Sequence, residues 1–263
     1  MGELPDDIAE LQRAGRGRFA DVRVFAEVDS TNSVVLAEAA AGGPEGAVVV
    51  ADHQRAGRGR LGRTWEAAAG AALLVSVLVR PRLAPEAVPI LTLAGGYEMA
   101  AAVNAVSGAA VGLKWPNDLR LGGRKLGGVL TEARTDAPGA LVVGVGVNVS
   151  RGALPAEVAA TAVSLEEAGH PIRRADVLAE FLARLDRRVK ALEAGDDGIG
   201  SFLADYADVC ETLGTDVRVR LHTTGDVVVE GHAARVAPNG SLVVRVPDGR
   251  EVVVAHGEVE QLR

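Results

Sequence analysis

The chain has 263 residues, 48% hydrophobic and 24% charged, which suits a globular protein of one or two domains and excludes extended disorder. A net charge of −7, from 28 basic and 35 acidic side chains, argues against a general polyanion-coating or DNA-binding protein but allows a local basic site. The single cysteine, Cys210, excludes an internal disulfide and a cysteine-ligated zinc site, and no apolar run reaches membrane-spanning length; with an acidic N-terminus and no signal pattern, a cytoplasmic protein is expected.

In chain order, the apolar spacing predicts a short helix over 4–13 and an alternating strand over 22–28. Asp29-Ser30-Thr31-Asn32 supplies capping residues for a helix over 33–41. A strand over 47–51 leads into a Gly/Arg-rich loop over 53–70, long enough to carry function. A buried strand over 72–80, a helix over 89–106 and a short strand over 111–114 follow. A turn is expected at 120–124, then strands over 126–133 and 141–149, the second buried on both faces. Helices are expected over 175–194 and 198–210. Beyond Cys210 the texture becomes short β segments over 217–221, 226–236, 242–246 and 251–255, separated by turn signals such as Asp248-Gly249. The expected fold is α+β: a mixed-sheet domain over 1–210 followed by a small β-barrel over 211–263.

The segment Gln54-Arg-Ala-Gly57-Arg58-Gly59-Arg60-Leu-Gly62-Arg63-Thr-Trp65 holds four arginines within nine residues and no acid. Guanidinium forks and exposed backbone N–H groups both suit phosphate or carboxylate oxygens, and the glycines permit close approach. A solvated basic loop accounts for the arginines but not for the glycines, Gln54 and Trp65. A dinucleotide fingerprint matches Gly57-x-Gly59-x-x-Gly62 but needs a helix directly after it, where this chain offers a strand. A loop that closes over a nucleotide or acyl phosphate fits best, and such a loop is expected to be mobile without ligand.

Lys114-Trp115-Pro116-Asn117-Asp118 puts a cation, a ring, a kink and two polar groups in five residues, either a functional strand end or an ordinary turn. Lys125, in Arg124-Lys125-Leu-Gly127-Gly128, could neutralise charge on a transferred group or lie on a hairpin surface. Gly144-Val-Gly146-Val-Asn148 clears one face of a strand, for a flat ligand or for close packing, and Asn148 can donate to a ligand or cap a turn. The five histidines show no metal spacing. Anion-binding features outnumber acid/base ones, which suggests ATP-driven group transfer.

Together the motifs Glu27-Val-Asp-Ser-Thr-Asn32, Gln54 to Trp65, Leu113-Lys-Trp-Pro-Asn-Asp118 and Gly123-Arg-Lys-Leu-Gly-Gly-Val-Leu-Thr-Glu132 resemble those of the biotin protein ligases (biotin–[acetyl-CoA-carboxylase] ligases), over about residues 22–150. The resemblance implies activation of biotin by ATP to biotinyl-5′-AMP, then transfer to a lysine of a biotin carboxyl carrier domain. It implies an SH3-like C-terminal domain. It places Ser30, Thr31, Asn32, Gln54, Arg58, Gly59, Arg60 and Lys125 at biotin, and Arg58, Arg60, Trp65, Lys114, Asn117 and Asn148 at the nucleotide. Arg60, Lys125 and Asp118 would be catalytic, with Asn117 and Asp118 near Mg²⁺ through the phosphates.

Two departures stand out. The strand after the loop reads Leu73-Leu74-Val75-Ser76 where the family often carries an aromatic. Roughly 25 residues precede the matching segment, too few for the DNA-binding domain of some members, so no repressor role is expected. The resemblance admits a homodimer. A lipoate or octanoyl protein ligase is the neighbouring enzyme, and a non-catalytic nucleotide- or biotin-binding regulator the alternative of another class.

Overall fold

The computed structural model describes residues 6–151, 154, 158–223 and 225–262. The first two residues of the helix expected over 4–13, and Thr224 of an expected turn, lie outside the described residues.

The chain runs α1 (Asp6–Gln12), β1 (Val22–Val28), α2 (Thr31–Ala40), β2 (Val48–Gln54), β3 (Ala72–Val79), α3 (Ile90–Ser107), β4 (Gly112–Lys114), β5 (Asp118–Leu121), β6 (Arg124–Ala133), β7 (Leu141–Asn148), α4 (Arg174–Leu192) and α5 (Asp196–Val209). Then come β8 (Asp216–Thr223), β9 (Gly225–Val236), β10 (Leu242–Arg245), β11 (Glu251–Val254) and β12 (Glu258–Gln261). Seven strands form one mixed sheet in the order β1-β2-β3-β7-β6-β5-β4, and β8 to β12 form an antiparallel sheet in the order β11-β10-β9-β8-β12. Among the described residues, β1 and β2 are the strand pair of the larger sheet that runs parallel, and its other neighbouring strands pair antiparallel. The α+β expectation holds.

Strand alternation divides the larger sheet into two faces. Val48, Val50, Leu73, Val75, Val77, Val143, Val145 and Val147 join the main core, which also holds apolar residues of α3 and α4. Helix α4 buries Val177, Phe181, Leu185, Val189 and Leu192, the three-to-four spacing of an amphipathic helix. On the opposite face Val49, Leu78 and Val142 pack with Val35 and Ala39 of α2. The same face carries Leu74, Ser76, Gly144 and Gly146, and beyond the start of α2 it is open.

Three differences from the sequence reading have local causes. β2 runs on through Asp52 and His53 to Gln54, pairing with β1 as far as Val28, so Gln54 is a strand residue. The turn expected at 120–124 shrinks to Gly122 and Gly123, both at positive φ, because Arg120 and Leu121 pair with Lys125 and Arg124. β12, a strand the sequence reading did not expect, buries Val259 alone among its four residues, too little for a visible period.

Candidate active site

The open face becomes a cavity of about 410 Å³ where the start of α2, the arginine loop, the β4–β5 turn, β6, β7 and the second sheet meet. Ser30 is extended (φ −158°, ψ 135°) and precedes α2 without a side-chain capping bond, so its hydroxyl is not used on its own helix. Ser30, Thr31 and Asn32 are buried yet line the cavity. The Thr31 backbone N–H, one of the orphan donors of a helix start, donates to Gln54 Oε1 at 2.8 Å. Ser76 Oγ lies 2.7 Å from Thr31 Oγ1 and 2.5 Å from Asn32 Oδ1. Asn32 Nδ2 donates to Leu130 O and to Glu132 Oε2. This end of the cavity is a neutral polar cluster.

The arginine loop folds back on itself. Gly59 N donates to Arg63 O at 2.7 Å and Trp65 N to Gly57 O at 2.9 Å, around a 3₁₀ turn at Arg60–Gly62. Gly57 is required by the chain itself, because a Cβ there would collide with the Trp65 carbonyl. Three arginines leave the loop in three directions. Arg58 reaches Ser33 Oγ and Glu132 Oε2, both at 2.8 Å. Arg60 Nη1 donates to Asn117 Oδ1 at 3.1 Å. Arg63 pairs with Glu258 of β12. Burial pulls the Arg60 guanidinium below its ordinary pKa, against the pull of Asp118.

Facing the loop is the β4–β5 turn, with a cis Trp115–Pro116 bond. Trp115 is buried and anchored to the C-terminal part: its N–H donates to Thr212 Oγ1 at 3.0 Å and its Nε1 to Gly240 O at 2.9 Å. Asn117 Nδ2 donates to Val129 O at 3.0 Å. Lys125 Nζ donates to Asp118 Oδ1 at 2.5 Å. Burial lowers the Lys114 ammonium, Asp118 opposing it.

The two glycines of β7 have separate tasks. A Cβ on Gly144 would overlap the Asn32 amide, and one on Gly146 would stand 2.8 Å from the Trp65 indole. Close packing within the chain therefore accounts for both glycines: the Asn32 amide at the start of α2 lies over Gly144 and the Trp65 indole of the loop over Gly146. Trp65 Nε1 is buried with no protein partner.

All but one of the expected site residues line this cavity: Ser30, Thr31, Asn32, Gln54, Arg58, Gly59, Arg60, Trp65, Lys114, Asn117, Asp118 and Lys125. Asn148 does not. It is buried at the end of β7 and its Nδ2 donates to Val163 O at 3.2 Å. Sequence reading passed over the wall from the second sheet, Arg218, Arg220, Glu258, Val259 and Glu260, and named Arg63 and Leu74 only within their segments. It also gave no role to Ser76 and Glu132, although a serine in an otherwise apolar strand was a usable signal. The lining holds seven cationic side chains (Arg58, Arg60, Arg63, Lys114, Lys125, Arg218, Arg220) against three carboxylates (Asp118, Glu258, Glu260), a positive well in an acidic protein. A neutral polar pocket running into that well suits a molecule with an uncharged, hydrogen-bonding head and an anionic end that meets a polyphosphate.

The model of the Biotin/lipoate A/B protein ligase family matches residues 24–148. The chain is 39% identical over 260 residues to the biotin--[acetyl-CoA-carboxylase] ligase of Mycobacterium tuberculosis, covering 97% of this chain and 93% of the relative. It is 31% identical over 243 residues to the enzyme of the same name from Paracoccus denitrificans, covering 88% and 97%. A solved biotin protein ligase from Aquifex aeolicus in complex with biotin and ATP superimposes with a TM-score of 0.80 at 27% identity, covering 93% of this chain and 100% of that one.

Proposed function

The chain belongs to the biotin/lipoate A/B protein ligase family, and from that premise we propose that it is a biotin–[acetyl-CoA-carboxylase] ligase. Its first reaction joins a biotin carboxylate oxygen to the α-phosphorus of ATP and releases pyrophosphate, giving biotinyl-5′-AMP. In its second, the amine of a carrier lysine forms an amide with the acyl carbon and AMP leaves. The observation that carries this reading is the join within one cavity: the neutral cluster of Ser30, Thr31, Asn32 and Gln54 opens directly onto Arg60, Lys114 and Lys125.

The ureido ring of biotin, with N–H donors and a carbonyl acceptor, sits at the neutral cluster. Arg58, Gly59 and Arg60 cover the carboxylate. Arg60 and Lys125 offset the negative charge that the carboxylate and the α-phosphate bring together, a large contribution in a half-buried site. Trp65, on Gly146, offers a ring face to adenine, and Lys114 and Asn117 meet the phosphates. Asp118, held 2.5 Å from Lys125 Nζ, takes the proton from the carrier lysine. The covering loop keeps the mixed anhydride from water.

Among the described residues no group of three or more His, Cys, Asp or Glu side chains is placed to hold a metal. One carboxylate, Asp118, beside one amide oxygen, Asn117, fits Mg²⁺ carried on nucleotide phosphates, since that ion keeps waters and takes few protein ligands. When bound, the ion neutralises phosphate charge. The catalytic unit is taken as residues 1–210 and the SH3-like unit as 211–263, supported by the end of α5 at Val209 and the start of β8 at Asp216. The partner is a biotin carboxyl carrier domain, and no described helix is long and apolar enough to cross a membrane.

The test is pyrophosphate release from ATP and Mg²⁺ with biotin, octanoate or lipoate, one acid at a time. Release with biotin alone is expected. Release with octanoate or lipoate would move the chain to the neighbouring enzymes, and none with any acid would leave a binding protein.

A further inference from the structure

Glu132 stands behind Asn32 near the end of β6 and is not part of the cavity wall. We infer that Glu132 is a positioning residue: it sets the donor and acceptor directions of the buried hydrogen-bond chain under the ureido ring. The inference rests on the reading of the cavity as a biotin site.

A carboxylate only accepts, an amide has one end of each kind, and a hydroxyl has a single proton to give. Glu132 Oε2 accepts from Asn32 Nδ2 at 2.7 Å and from Arg58 Nη2 at 2.8 Å. The Asn32 amide is therefore turned with Nδ2 toward Glu132 and Leu130 O, and Oδ1 toward Ser76. Ser76 must spend its one proton on Asn32 Oδ1, at 2.5 Å. The 2.7 Å approach of Ser76 Oγ to Thr31 Oγ1 then needs the Thr31 proton. Gln54 Oε1, 3.0 Å from Thr31 Oγ1, is satisfied instead by the Thr31 backbone N–H at 2.8 Å.

With the Thr31 proton spent on Ser76, Thr31, a residue of the cavity lining, offers its Oγ1 as an acceptor. Gln54, whose oxygen is engaged, has Nε2 as its remaining donor. These directions accept an N–H and donate to a carbonyl, the pattern of a cyclic urea. Run backwards, the chain would spend a Thr31 lone pair on the Ser76 proton and send the Thr31 proton to Gln54 Oε1, 3.0 Å away, leaving Thr31 less able to accept a ligand N–H. Ser76 is fully buried and Asn32 and Thr31 nearly so, hence bulk water does not reset the directions and the charged end decides them. Arg58 meets the same carboxylate, so the covering loop is hung on the anchor of the ring pocket.

The experiment is biotin binding without ATP, by titration calorimetry, for the wild type, E132Q, S76A and E132Q/S76A, with thermal midpoints alongside. Each single change is expected to weaken biotin about tenfold, because each frees the proton order of the same chain. The double variant is expected to bind within about twofold of the weaker single one, since a chain broken once loses little when broken again. Additive losses, or an E132Q affinity equal to that of the wild type, would overturn the inference and leave the biotin reading standing. A wild type that fails to bind biotin would overturn both. Should S76A not fold, N32D and N32D/E132Q decide. N32D sets two carboxylates against each other and binds poorly. Adding E132Q supplies an amide donor and is expected to recover at least tenfold in affinity, and no recovery would overturn the inference.

Discussion

Replacing Gly144 by alanine strikes the polar chain through the sheet beneath it. The added methyl would lie 2.8 Å from Asn32 Cγ and 2.9 Å from Nδ2, and would overlap Oδ1 outright. Asn32 has no room to retreat, because α2 is packed on the sheet through Val35 and Ala39. Moving its side chain away forfeits the bonds to Ser76, Leu130 O and Glu132. At about 1 kcal/mol per lost bond, and about 1–3 kcal/mol for a buried group left unpaired, the cost is roughly 3–5 kcal/mol. For a chain of this size that is a drop of about 10 °C in melting midpoint. Gly200, exposed on α5 with nothing within 4 Å of the added atom, is the control. There the same substitution should stabilise by up to about 1 kcal/mol, as a helix interior prefers alanine. The assay is thermal unfolding of both variants together with biotin titration. A G144A protein with the wild-type midpoint and wild-type biotin affinity would refute the placement of Asn32 and the argument built on it.

Trp115→Phe keeps the ring but removes the donor to the buried Gly240 carbonyl; chemical denaturation should read a loss of about 1–3 kcal/mol, and no loss would remove that tether from the account. Arg60→Ala takes away the cation that crosses to Asn117, and the initial rate of pyrophosphate release with biotin should fall about 10²-fold; a change below about threefold would take Arg60 out of its role. Burial alone would raise the Asp186 carboxyl, but hydrogen bonds from Lys190 and Arg18 win and hold it below 3.8. A lowered folded pKa gives stability that is present above the unfolded value and lost as pH falls through the folded one, so D186N should be less stable than the wild type at pH 7 and the two should converge on acidification below the ordinary carboxylate range; parallel stability curves would contradict this. Trypsin should cut the 53–65 loop more slowly with biotin and ATP than without, and equal rates would count against ligand-dependent cover.

What could be read in advance was whatever repeats along the chain or sits within one short segment. The strands of the larger sheet show as an alternating segment over 22–28 or as short apolar runs, the arginines and glycines of the loop are neighbours, and the β4–β5 turn carries its site groups in five consecutive residues. The pairings that give those groups direction are of another kind. Asn32 and Glu132 are separated by 100 positions, and Trp115 and Gly240 by 125. Neither separation leaves a period, and Glu132 alone in sequence is one more carboxylate at a strand end. Asn148 shows the converse. Its motif is local and was legible, but the side chain lies off the cavity wall, with Nδ2 given to Val163 O in the segment that follows β7 and Oδ1 buried without a partner. Gly144 and Gly146 are instructive because the same residue type, two positions apart on one face, makes way for an amide from α2 and for an indole from the loop. A local pattern says that space has been cleared, and only the registered sheet says for whom. The wall from β8 and β12 follows the same rule: Arg218, Arg220 and Glu258 look like the polar faces of exposed strands until the second sheet is set against the first, where they close a cavity whose other sides lie 72 or more residues earlier.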